Sequence, residues 1–223
     1  MDLTKSIEYF DPVNVRGKCH IIGCGSVGST LAENLARLGV TNFVLYDFDT
    51  VEPHNLANQM FVQSDIKTAK VEAVKRIICD INPEAESTIE ICAGGYTDQK
   101  LNGYVFLAVD NIDLRREICV KNRMNKAIKA VFDFRTRLED AQHYAANWGD
   151  MRQIDNLIKS MEFSHEEAHE ATPVTACGTE LGVAPTVRVV CALGVTNFMN
   201  LIRGAELQKI VVCNPFTMEI MTM

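Results

Sequence analysis

The run Cys19-His20-Ile21-Ile22-Gly23-Cys24-Gly25-Ser26-Val27-Gly28 constrains this chain more than any other stretch. A short apolar strand over 18–22 feeds glycines spaced G-x-G-x-x-G. A helix over 28–38 follows, with Leu31, Leu35 and Leu38 on one face and Gly39 as its stop. Each glycine has a separate use. Gly23 permits the tight turn, Gly25 lets a phosphate approach the backbone, and Gly28 lets helix and strand pack closely. The helix N-terminus then offers unpaired N–H groups to an anion. A second strand over 42–46 ends at Asp47, 19 residues beyond Gly28, where a carboxylate can accept both ribose hydroxyls. Gly23, Gly25, Gly28 and Asp47 together describe a nucleotide site that serves NAD, FAD or ATP equally.

The pattern continues with a helix over 68–79, carrying Val71, Val74, Ile77 and Ile78 and stopped at Asn82-Pro83. Strands follow over 88–92 and 104–109, the latter ending at Asp110, then a helix over 114–128 and strands over 130–134 and 141–146. Helices over 151–163 and 184–202 and a hairpin turning at Asn214-Pro215 complete the chain. The apolar residues of the last helix, among them Val187, Val190, Cys191, Gly194 and Phe198, suit a core face. Near-continuous apolar strands alternating with helices predict an α/β, Rossmann-like, doubly wound sheet, mostly parallel, with C-terminal antiparallel strands. No linker composition interrupts the 223 residues, so 1–223 reads as a single domain.

The net charge of −7 excludes a broad nucleic-acid or anionic-membrane surface. No apolar run reads as a bilayer span, and MDLTKSIEYFDP has no signal-peptide core, which points to the cytoplasm. The eight cysteines sit mostly in apolar segments such as KCHIIGCG and RIICDI, the pattern of buried reduced thiols. None is spaced C-x-x-C, so a zinc site has no local signature.

The segment after Asp47 narrows the choice of nucleotide. DFDTVEPHNLANQMFVQSDIKTAK resembles the signature of the ubiquitin-activating-enzyme-like adenylating family, the MoeB/ThiF type. That pattern is roughly D-x-D-x-V-x-x-x-N-L-x-R-Q, then D-I/V-G-x-x-K and I-N-P. Asp47, Asp49, Val51, Asn55, Leu56, Gln59, Asp65, Lys70 and Ile81-Asn82-Pro83 match it without a gap. LAVDNIDLRREI, with Asp110 and Asn111, and ACGTELGVAPTV extend the resemblance over roughly 18–135 and 175–222. It implies a ThiF-like adenylation domain that uses ATP and Mg2+. The implied substrate is the C-terminal carboxylate of a small ubiquitin-like or sulfur-carrier protein, activated as an acyl-adenylate by a homodimer. It implies that Asp47 holds the ATP ribose, that Asn55 and Lys70 bind the triphosphate, and that Asp110 binds the metal. Asp49, Asn58, Gln59 and Asn111 fall within the same cofactor-binding segments. Cys177 aligns with a cysteine on which some members take up the activated acyl group, with His165 and His169 nearby as bases.

The chain also departs from the pattern. Asn58 stands where the family has arginine, so a neutral dipole replaces a full charge. Before Gly23 the one arginine is Arg16, whereas the family carries an arginine in a longer N-terminal helix that reaches the partner's site. Lys5, Arg135 and Arg137 are the other cations that could substitute. The paired zinc cysteines of many members are missing. Two readings therefore stand beside adenylation: a non-catalytic nucleotide-binding or scaffold subunit of the same superfamily, and an NAD-dependent oxidoreductase.

Overall fold

The structure, a computed structural model, describes residues 1–163, 166–167 and 182–223. Strands β1 (Cys19–Ile22), β2 (Phe43–Tyr46), β3 (Glu90–Cys92), β4 (Gly103–Leu107) and β5 (Ile128–Thr136) pair in parallel. Strands β6 (Ala141–Asn147), β7 (Ile210–Asn214) and β8 (Glu219–Thr222) continue the same sheet antiparallel. The order is β3-β2-β1-β4-β5-β6-β7-β8, the mostly parallel Rossmann-like sheet expected. β1, β2 and β4 are buried at every position, which is why they read as unbroken apolar runs.

Helices α1 (Ser26–Arg37), α2 (Lys70–Ile81) and α5 (Ala184–Ile202) cover one face of the sheet through Leu31, Leu35, Val71, Val74 and Phe198. Helices α3 (Ile112–Lys121) and α4 (Met151–Lys159) cover the other through Ile118, Ile154 and Leu157. The expected 114–128 helix is shorter because Asn122 caps it and the Asn125 amide turns away to the Leu101 carbonyl, at 3.0 Å. The 151–163 helix ends at Lys159, and the 88–92 strand is shortened to Glu90–Cys92, its first residue taken by a 3-10 turn over Pro83–Thr88. By length and composition alone α5 would pass for a bilayer span, against the sequence expectation. Its apolar side is core instead: Val187, Val190, Cys191, Gly194 and Phe198 are all buried. Phe198 packs edge-on to Phe106, 5.6 Å between ring centroids, and a Cβ at Gly194 would lie 2.2 Å from the Phe134 ring.

His143 on β6 lies between Phe132 and Phe134 and is fully buried. Its Nε2 accepts from the Asn197 amide at 3.1 Å, which places the proton on Nδ1. Burial lowers the imidazole pKa to about 4. The unfolded residue titrates near 6.5, so its contribution to stability is complete above that pH and is lost as pH falls toward 4. Urea unfolding at pH 7 and pH 5 should therefore show a loss on the order of 2 kcal/mol from this residue. The pH-dependent part should shrink in His143→Phe, which keeps the ring stack but does not titrate.

Candidate functional site

The carboxyl ends of β1, β2 and β4 are level, since Ile22 pairs with both Tyr46 and Leu107. The glycine loop, Asp47 and Asp110 therefore leave the sheet along one edge, where open α/β sheets bind ligands. Gly23 has φ +94°, and a Cβ there would stand 2.7 Å from the Ala108 carbonyl carbon and the Val109 nitrogen. A Cβ at Gly28 would stand 1.8 Å from the Gly23 oxygen. These two glycines are demanded by the protein's own packing. Gly25 is different: a Cβ there meets nothing within 4 Å. It opens onto the space before α1, whose first turn has no side-chain cap for its N–H groups.

Asp47 ties this loop to the rest of the edge. Its Oδ2 accepts the Cys24 N–H at 2.7 Å and its Oδ1 accepts the Asp49 N–H at 2.9 Å. Asp49 in turn holds Lys70, whose Nζ donates to Asp49 Oδ2 at 2.8 Å and whose backbone N–H donates to the Asp49 carbonyl at 2.9 Å. Lys70 is only 9% exposed, so its ammonium depends on that partner. The segments on either side are clamped together, Val51 N–H to the Thr68 carbonyl and Lys67 N–H to that of Val51, both at 2.8 Å. Lys67 adopts φ +73° to make this turn, at the position where the family pattern has glycine. A hydrogen-bonded chain thus runs from Cys24 through Asp47 and Asp49 to Lys70.

Asn55 is buried in the turn Pro53–Ala57, and its Oδ1 accepts the Glu52 N–H at 2.9 Å. Its carbonyl is thereby structural, and only its amide side remains for a ligand. The Met60 N–H donates to Ser29 Oγ at 3.2 Å, which pins the Asn58-Gln59 loop against the first turn of α1. Gln59 Oε1 is buried without a partner. The Asn58 amide nitrogen would lie 3.3 Å from a Cβ at Gly182, so it faces the chain entering α5. Asn111 caps α3 by accepting the Leu114 N–H at 3.0 Å, while Asp110 beside it is exposed. Among the described residues no three His, Cys, Asp or Glu converge. A Mg2+ at Asp110 would take one protein carboxylate and complete its shell with phosphate and water, as that ion does readily.

The other cations are not gathered here. Arg16 precedes β1, at the opposite edge of the sheet. Lys5 lies in the N-terminal segment packed at that same far edge, where Leu3 meets Gly39 and the Met1 amine pairs with Glu84 at 2.7 Å. Arg135 is committed elsewhere, to Asp133 at 2.7 Å and to Ser160 Oγ at 2.8 Å, and it stacks on Tyr144. Arg137, exposed in the turn after β5, remains at the ligand edge. Cys177, His165 and His169 lie outside the described residues. The seven described cysteines are free, and burial raises each thiol pKa. A cavity of about 370 Å3 lies away from this edge, against α4, lined among others by Leu157, Lys159, Lys209 and Met223. The sequence hides one participant: Arg115 stands beside Arg116 in LRREI, and only the fold shows that Arg115 is buried while Arg116 is half-exposed.

The fold is that of Rossmann-like α/β proteins, with the glycine loop, Asp47 and Asp110 along one edge of the sheet. The ThiF family model matches residues 15–223, and the chain belongs to the ThiF family. Ubiquitin-like modifier-activating enzyme 5 of Caenorhabditis elegans is 28% identical over 114 residues, 44% of this chain and 27% of that protein. Its Arabidopsis thaliana counterpart is 39% identical over 64 residues, 29% of this chain and 15% of that protein. Among solved structures, E. coli MccB with ATP has a TM-score of 0.71 at 18% identity, covering 95% of this chain and 65% of MccB. PaaA has a TM-score of 0.70 at 18% identity, covering 96% of this chain and 65% of that one. The chain thus spans 27% and 15% of these two curated relatives and just under two thirds of these solved chains.

The two kinds of glycine separate in experiment. Gly28→Ala should cost about 3 kcal/mol or more in urea unfolding, as overpacking against backbone does at its upper end. Gly25→Ala should shift stability by less than about 0.5 kcal/mol while weakening nucleotide binding measured by calorimetry.

Proposed function

We propose that this protein is an ATP-dependent adenylyltransferase that activates the C-terminal carboxylate of a small ubiquitin-like or sulfur-carrier protein. The observation that carries the reading is the chain Cys24–Asp47–Asp49–Lys70, which presents an open glycine loop and a buried lysine along one strand edge. Family membership supports it. So do the name of the ubiquitin-like modifier-activating relatives and the MccB structures solved with ATP and with MccA.

In this reading Asp47 accepts the ribose hydroxyls with the lone pairs its backbone donors leave free. The Gly25 backbone and the first turn of α1 meet the phosphates. Lys70 and the Asn55 amide neutralise and orient them, with Asn58 and Gln59 alongside. Asp110 holds Mg2+, which would supply further charge neutralisation when bound. The carrier's carboxylate attacks the α-phosphate, pyrophosphate leaves, and the enzyme's task is in-line positioning and charge stabilisation. The Cys177 thiolate would then attack the acyl-adenylate carbonyl, forming a thioester and releasing AMP.

The second reading, a non-catalytic nucleotide-binding subunit, is favoured by one observation. Of the candidate replacement cations, Lys5 and Arg16 lie at the far edge and Arg135 is held by Asp133. ATP–pyrophosphate exchange with a candidate carrier separates the two. Adenylation predicts exchange that requires Mg2+ and is abolished in Asp110→Ala. Asn58→Arg should raise it about tenfold, the worth of one charge-assisted hydrogen bond. ATP binding with no exchange in either protein would select the non-catalytic reading.

A further inference from the structure

Asp110 has no ladder bond of its own to fix it. β4 ends at Leu107, and the last bond to the neighbouring strand is from the Ala108 N–H to the Ile22 carbonyl, at 2.8 Å. The peptide that joins Val109 to Asp110 is gripped instead from α3. Arg115 donates from Nε to the Val109 carbonyl at 2.7 Å, and from Nη2 to the same oxygen. Its Nη1 donates to Asp133 Oδ1 at 2.7 Å and to the Phe134 carbonyl. The Arg115 side chain is 8% exposed and Asp133 is fully buried. The second carboxylate oxygen of Asp133 accepts from Arg135 at 2.7 Å, so the pair is completed on both sides. A buried guanidinium and carboxylate in this arrangement are costly to break singly, which makes the grip on Val109 stiff. Gly23 packs against the preceding peptide, Ala108–Val109, where a Cβ would stand 2.7 Å from the backbone.

We infer that Arg115 is a positioning residue for Asp110: it acts through the Val109 carbonyl to hold that carboxylate at the phosphate edge before ligand arrives. The inference rests on the proposed Mg2+–ATP site. Lysine has one compact donor group and cannot grip Val109, Asp133 and Phe134 together. In Arg115→Lys, calorimetry should show ATP affinity without metal within twofold of wild type, while the gain on adding Mg2+ falls about tenfold. A role in stability alone would lower both affinities together or neither. Arg135→Lys disturbs the same Asp133 without touching Val109 and should leave the Mg2+ gain intact.

Backbone 15N relaxation on the unaltered protein gives a reading that does not depend on a variant folding. Order parameters over 108–112 should already be those of rigid backbone without ligand, about 0.85, and Mg2+–ATP should change them little. An unchanged Mg2+ gain in Arg115→Lys, or ligand-free order parameters below about 0.6 that rise on adding Mg2+–ATP, overturns the positioning role and leaves the ATP site standing. A wild-type protein that binds no ATP removes both.

Discussion

The edge depends on one close approach, that of Gly28 to the Gly23 carbonyl. It sets how near α1 comes to β1, and so where the first turn of the helix points its unpaired N–H groups. Gly23 extends the constraint sideways, since its contact with Ala108 and Val109 fixes the loop that ends in Asp110. Asp47 extends it the other way by accepting from Cys24. Three strand ends become one surface because two glycines remove the side chains that would hold them apart. Such a contact is a steric requirement more than a source of energy, and it is intolerant of change for that reason.

The charges on this surface are arranged as a relay. Asp47 is satisfied by backbone donors and Lys70 by Asp49, so neither is left buried and alone in the ligand-free protein. An incoming triphosphate would meet a lysine already positioned, with no ordering of a free side chain to oppose binding. The opposite holds for the family's arginine. At Asn58 the chain has a neutral amide turned toward Gly182, while Lys5 and Arg16 lie at the far edge, Arg135 is held by Asp133 and Arg137 stays exposed at this one. On the proposed reading, such an edge would hold nucleotide well and carry little charge to stabilise a departing pyrophosphate.

Much of this was legible in the sequence, for reasons that differ by element. Strands buried on both faces announce themselves as apolar runs, and α5 was bounded correctly at 184–202 because its apolar stretch has sharp ends. The α3 terminus was not, since Asn125 leaves the helix for a tertiary partner, the Leu101 carbonyl, that no local pattern encodes. The same distinction runs through the site. Gly28 acts through local chain geometry, and Gly23 and Asp47 sit at strand ends that the G-x-G-x-x-G spacing marks, so all three can be read from sequence. Asn111 caps α3 through the Leu114 N–H three residues on, a local role, whereas Asp49 as the partner of Lys70 needs a third dimension. Arg115 is indistinguishable from Arg116 by sequence, because its burial follows from the meeting of α3 with the ends of β4 and β5.

Calorimetric titration of ATP with Mg2+ into the intact protein tests the central claim most directly. The expected result is saturable binding of one nucleotide per chain. It should weaken at least about tenfold in Lys70→Met, the worth of one charge-assisted contact, with NAD giving no comparable heat. Absence of ATP binding, or equal binding by Lys70→Met, would contradict the assignment of this edge as an adenylation site.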